Sequence, residues 1–149
     1  MSIINSNTSF LLLVNWDGIE DVSKIKDSFK TCFNEKQYFE ILLLTSVKRP
    51  KENFNLPSRA QVISSTDFSL FRKLKSKKIL PSENTFFDIV MILEEIPEKY
   101  NQIISLLEGK HVISFGYELN CVDINLVYSN PLLIEKVKFA KDILTKISD

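Results

Sequence analysis

Two runs of large apolar residues stand out along the chain, and each ends abruptly at polar residues. The first is Phe10 to Val14 and the second is Phe87 to Leu93. A strand with one face in water alternates apolar and polar residues, whereas a strand buried on both faces does not. The two runs therefore predict two buried strands, which we expect to be neighbours at the centre of a parallel sheet.

After the first run, the apolar residues follow the spacing of an amphipathic helix. Apolar residues recur from Ile19 to Phe33 on one face, with charged residues mostly on the other. A second strand follows at Tyr38 to Thr45, so the unit is a strand, a helix and a parallel strand. For the start of the helix we expect Asp17 to be the cap, with Glu20 as its reciprocal partner in a capping box.

The rest of the chain continues this alternation. Further strands are predicted at Ala60 to Ser64, His111 to Phe115 and Val122 to Tyr128. One helix is expected to end at Gly109, and the last to begin at the pair Asn130 and Pro131. The pattern predicts a single α/β domain over residues 1–149. It is three-layered and Rossmann-like or flavodoxin-like, with a mainly parallel sheet of five to six strands and helices on both faces. The expected strand order is 3-2-1-4-5, with the sixth strand at an edge.

Such folds bind ligands in a crevice at the carboxyl ends of the strands, where the strand order reverses. Here that crevice lies between strands one and four. The residues expected to line it are Asn15, Trp16, Asp17, Gly18, Glu94 and Glu95. It is the default place for a binding site in this fold.

Motifs for common ligands do not occur in this crevice. A dinucleotide site needs GxGxxG after the first strand, but here there is one glycine, Gly18, beside the bulky Trp16. The P-loop pattern is also absent. The segment VNWDG resembles the first motif of haloacid-dehalogenase-like phosphatases, but Asn15 replaces the nucleophilic aspartate and an amide cannot form an aspartyl-phosphate. We therefore expect no catalytic residues here and interpret Asp17 as a helix cap.

Residues that ligate metals or act as nucleophiles are sparse and scattered. The single histidine, His111, is predicted at the start of a strand, the wrong end for catalysis in a parallel sheet. Cys32 and Cys121 lie far apart without a CxxC pattern, which is typical of free thiols in a reducing compartment. We expect no metal, no cofactor and, on balance, no enzymatic activity.

Charge is distributed unevenly although the net charge is zero. Residues 46–78 hold nine Lys and Arg against two Asp and Glu, and residues 83–135 hold two against nine. The basic region consists of Lys48, Arg49, Lys51, Arg59, Arg72, Lys73, Lys75, Lys77 and Lys78. Phenylalanines lie between these residues, and basic side chains interleaved with aromatic ones suit RNA or an acidic protein face. The alternative interpretation is a solvated surface whose phenylalanines point into the core.

The order of motifs after the third predicted strand carries a resemblance to a known family. Asp67, Phe68, Phe71 and Lys73 follow that strand, Phe87 and Asp88 open the next, and Leu106, Leu107, Lys110 and Gly116 come later. This succession resembles a family of short bacterial proteins carried only under a domain-of-unknown-function label. The resemblance implies an α/β fold and supplies no activity.

Two functional hypotheses follow from the sequence. The first is a non-catalytic domain that binds another macromolecule, a protein or an RNA, through the basic region or a docking face. The second is a small-ligand, nucleotide or phosphate-binding domain that uses the crevice after the first strand. A protein partner is expected first and RNA second, in the cytoplasm, since no leader pattern or membrane span is present in the sequence. The oligomeric state is left open.

Overall fold

One strand, β1 (Ser9–Asn15), lies at the centre of the sheet, between β2 (Tyr38–Leu44) and β4 (Phe86–Ile92). The computed structural model describes residues 3–45, 59–64, 86–96, 100–106, 108–116 and 122–147. The other described strands are β2 (Tyr38–Leu44), β3 (Ala60–Ile63), β4 (Phe86–Ile92), β5 (Glu108–Phe115) and β6 (Ile124–Leu126). The described helices are α1 (Val22–Lys30), α2 (Asn101–Leu106) and α3 (Leu133–Lys146).

The strands are ordered β3-β2-β1-β4-β5-β6, and every pair is parallel. β1 pairs with β4 in a register that places Phe10 opposite Ile89 and Leu13 opposite Ile92. The predicted order, the adjacency of the two apolar runs and the edge position of the last strand are therefore confirmed. Both runs lack alternation because both lie in the middle of a sheet that is covered on its two faces.

Successive residues of β1 feed two separate hydrophobic cores. Phe10, Leu12 and Val14 pack with the buried faces of α1 and α3. Leu11 and Leu13 point the other way and pack with Tyr100, Ile103 and Ile104 from α2 and the residue before it. The three-layer α/β architecture with helices on both faces is therefore confirmed.

Helix α1 begins later than the sequence pattern predicted. Its N-cap is Asp21, whose carboxylate accepts a hydrogen bond from the Ser23 backbone N–H at 2.9 Å. The expectation that Asp17 caps this helix in a capping box is wrong, and Ile19 is 77% exposed and does not belong to the buried face. The buried face of α1 is instead formed by Val22, Ile25, Lys26 and Phe29.

Helix α3 docks on the sheet through Val137, Ala140 and Leu144, each fully buried. It starts at Leu133, so the expected cap at Asn130 is wrong. The Asn130 side chain accepts from the Leu132 N–H at 3.0 Å and closes a turn before the helix. No helix among the described residues is long and apolar enough to span a membrane.

Gly109 lies inside β5 and does not end a helix, which corrects the prediction. A Cβ atom at this position would lie 2.7 Å from Val90 Cγ2 on the neighbouring strand β4. The glycine is therefore required by the close approach of a side chain and not by a helix terminus. The spacing of Phe68 and Phe71 predicts a further short amphipathic helix, but these positions lie outside the described residues.

Candidate functional site

Hydrogen bonds within the chain bridge the predicted crevice between β1 and β4. The backbone N–H of Asn15 donates to Glu94 Oε1 at 3.1 Å, and its side-chain Nδ2 donates to the Glu95 carbonyl at 2.8 Å. The structure thus brings together three of the residues that the sequence indicated. They hold the ends of two strands to each other across the position that a ligand would occupy in this fold.

Trp16 belongs to the core and does not line an open crevice. Its side chain is 6% exposed, and its indole Nε1 donates to the Glu20 carbonyl at 2.9 Å. Its backbone N–H donates to the Leu44 carbonyl at 2.8 Å, which extends the pairing of β1 with β2 by one residue. The bulk of this side chain therefore serves the packing of the turn after β1.

Asp17 and Gly18 build that turn. Asp17 Oδ1 accepts from the backbone N–H groups of Ile19 and Glu20, each at 2.8 Å, and Gly18 has a positive φ of 84° that favours glycine. The Glu20 N–H and then the Ile19 N–H lower the pKa of Asp17, because both bonds stabilise the charged carboxylate. Backbone N–H groups in such a turn often bind phosphates. Here these two are already bonded to a carboxylate of the same chain.

Two further side chains cover the carboxyl edge of the sheet, one from each face. The Tyr100 hydroxyl donates to the Thr45 carbonyl just beyond β2. Lys136 Nζ, from α3, donates to the Leu93 carbonyl at 2.9 Å and lies 5.8 Å from the centre of the Phe115 ring. The partners of these two bonds lie 55 and 43 positions away, so no local pattern in the sequence predicts either bond.

Beside this closed edge lies an open groove between α1 and the start of α3, which we call the α1–α3 groove. Its volume is about 450 Å³. The floor is formed by the buried side chains of Val14, Ile25 and Phe29, and one wall by residues 132–134. The sequence did not predict this groove.

Leu132 is the most exposed apolar residue of the groove lining, at 62%. It is also the N-cap residue of α3, with φ −75° and ψ 125°, and its side chain makes no capping hydrogen bond. Ser, Thr, Asp and Asn are strongly preferred at this position because their oxygens accept from the first free N–H groups of the helix. A large exposed leucine here is unfavourable for the isolated fold.

Half of the polar residues in the groove lining are charged. Asn15 and Glu20 contribute from the side of the closed edge, Ser28 and Thr31 from α1 and its C-cap, and Glu135 and Lys138 from the first turns of α3. Glu135 and Lys138 form an exposed ion pair at 3.8 Å, which contributes little to stability. The groove therefore combines an apolar floor with a rim of exposed charges.

Arg59 is the one residue of the basic region that the structure describes. Its guanidinium lies 4.3 Å from the centre of the Tyr38 ring, and its φ is 63°. Lys48, Arg49, Lys51, Arg72, Lys73, Lys75, Lys77 and Lys78 lie outside the described residues, so a partner surface there stays a prediction.

Other chemically active groups are isolated in the described parts of the chain. No group of three or more His, Cys, Asp or Glu side chains that could hold a metal ion occurs in those parts. Cys32 is buried and free, as predicted, and burial raises the pKa of its thiol, while Cys121 is outside the described ranges. Glu40 is 1% exposed in β2; one oxygen accepts from the Tyr38 hydroxyl at 2.7 Å and the other has no hydrogen-bond partner.

Comparison with protein-family models, curated proteins and solved structures finds no match to this chain. The resemblance to a bacterial family stays a prediction.

Proposed function

We propose that this protein is a non-catalytic α/β domain that binds another protein, and that the α1–α3 groove is its docking site. The observation that carries the proposal is Leu132, which is exposed, lines the groove and occupies a helix N-cap where a polar residue would stabilise the fold. An apolar side chain that does not serve stability in the free molecule gains burial when a partner covers it.

The alternative, a small-ligand or phosphate-binding domain, is less well supported by the geometry. In the crevice after β1, Asn15 is bonded to Glu94 and Glu95, and the backbone N–H groups after Asp17 are bonded to its carboxylate. A ligand that entered between these residues would have to replace several internal hydrogen bonds. We therefore propose the adjacent groove for the partner, and the cytoplasm as the compartment on the basis of the sequence.

A pair of serine substitutions tests the docking site. Tagged full-length protein is purified from its native cells as the parent, as Leu132→Ser and as Val127→Ser, and co-eluting proteins are quantified by mass spectrometry. Val127 is 88% exposed but does not line the groove, so it is a matched control for loss of an exposed apolar side chain. We expect one saturable partner that is lost with Leu132→Ser and retained with Val127→Ser.

Two outcomes would contradict the proposal. One is a partner that binds both variants as tightly as the parent. The other is a partner released by nuclease treatment, which would favour RNA binding through the basic region instead.

A further inference from the structure

We infer that the segment recognised by the α1–α3 groove is basic as well as apolar: it presents an aliphatic or aromatic side chain to the groove and flanks it with Lys or Arg. This inference rests on the proposed function and adds the chemistry of the partner. It is carried by the charges at the rim and by their present bonding.

Carboxylates outnumber ammonium groups among the residues that line the groove. The charged side chains of the lining are those of Glu20, Glu135 and Lys138. Two carboxylates against one ammonium group favour a cationic segment over an anionic one.

The starts of α1 and α3 would otherwise favour an anion at this edge. Each helix N-terminus carries partial positive charge. At α1 the Asp21 carboxylate already caps the first turn, and at α3 Glu135 lies in the first turn. The chain thus supplies its own carboxylates to these positive ends.

Lys136 and Lys138 are both engaged within the chain, Lys136 at the sheet edge and Lys138 in an ion pair with Glu135. Lys136 donates to the Leu93 carbonyl and is directed over the sheet edge. Lys138 is paired with Glu135, and breaking that pair would release a carboxylate on the groove wall. Glu20 is exposed and lines the groove. A basic partner would therefore meet Glu20 and Glu135, and Lys138 would oppose it.

Three short fluorescent peptides test this chemistry against the full-length protein by anisotropy. The first carries Leu and Lys, the second has Glu in place of each Lys, and the third has Ser in place of each Leu. Only the first should bind, and its affinity should fall as salt screens the charges. Glu20→Gln and Glu135→Gln should each weaken binding by about two- to fivefold, and Lys138→Gln should strengthen it by a similar factor.

The charge variants separate this inference from the proposed docking site. If they leave peptide affinity unchanged while Leu132→Ser still abolishes partner capture, the docking site stands and the basic partner is wrong. If Leu132→Ser also has no effect on capture, both fail. A concentration-dependent dimer in ultracentrifugation that Leu132→Ser dissolves would assign the groove to a second copy and overturn the basic partner.

Discussion

The hydroxyl of Tyr100 donates a hydrogen bond to the carbonyl of Thr45, although the two residues belong to segments that flank the central strand on opposite sides. Tyr100 follows β4 and Thr45 follows β2, so this contact joins the two segments on either side of β1. Both residues are 1% exposed. The contact ties three strands together at the edge where this fold binds ligands.

Tyr100→Phe should lower the free energy of unfolding by about 1–2 kcal/mol, because a buried hydrogen bond is lost while the ring is kept. Urea unfolding measures the change. Tyr128→Phe is the control, since Tyr128 is half-buried and stacks on Phe139 with ring centres 4.3 Å apart. The control should change stability by less than about 0.5 kcal/mol. Equal effects of the two substitutions would show that the Tyr100 bond does not hold the edge together.

Leu132→Ser should raise the free energy of unfolding by about 1 kcal/mol, because a serine hydroxyl at the N-cap accepts from an N–H of the first turn of α3. The extended backbone at this residue already suits a cap. Thermal or urea unfolding of Leu132→Ala provides the comparison, and alanine should give no such gain. If the serine stabilises the fold, Leu132 does not serve the stability of the free protein, which agrees with a role in docking a partner.

Asp17→Asn should change stability little at about pH 7, because the amide oxygen can accept the same two N–H groups. Since the folded-state pKa of Asp17 is lowered, its carboxylate stabilises the fold above its unfolded pKa. That contribution is lost as the pH falls through the folded value. The variant should therefore lose less stability than the parent between about pH 7 and about pH 3.

Melting temperatures across this acid range measure the difference for Asp17. Asp27→Asn removes another exposed carboxylate, one paired with Lys30 at 3.0 Å, and serves as the control. If the melting temperature of Asp17→Asn falls with pH as steeply as that of the parent, the hydrogen bonds of the turn contribute nothing to the acid dependence of stability.

Gly109→Ala should destabilise the protein by about 1–3 kcal/mol, because the added methyl group would lie against Cγ2 of the fully buried Val90. Val90→Ala alone should also destabilise, by opening a cavity. The double variant should lose less free energy of unfolding than the two single variants together, because the methyl group added at residue 109 fills the space that Val90→Ala opens. Strict additivity in urea unfolding would mean that the strands separate to admit the methyl group.

The sequence was sufficient for the central strands because burial on both faces removes the polar alternation, and that signal is strong in Phe10 to Val14 and Phe87 to Leu93. It was insufficient at the start of α1, where Asp17 and Asp21 are both capable of capping. Only the packing of Trp16 and Val22 decides between them, and it leaves Ile19 outside.

Gly109 and the groove show two other limits of sequence interpretation. A glycine after a helical pattern is compatible with a helix end and also with a strand that a neighbouring side chain approaches closely. The local sequence does not distinguish the two, because the 2.7 Å distance from a Cβ at Gly109 to Val90 Cγ2 depends on a different strand. The α1–α3 groove joins Val14 with Leu132, which no local periodicity connects. The contact of Lys136 with the sheet edge was not predictable either, because it depends on how the distant helix α3 docks on the sheet.

The position of β1 between β2 and β4 also sets an order of events during synthesis. On a ribosome, β1, β2 and β3 emerge well before β4, and the contacts Ser9 to Asp88 and Asn15 to Glu94 span 79 positions. Until residue 92 has emerged, one side of β1 is an unpaired edge with apolar side chains on both faces. A stalled or truncated chain that ends before β4 would therefore tend to aggregate through its first strand.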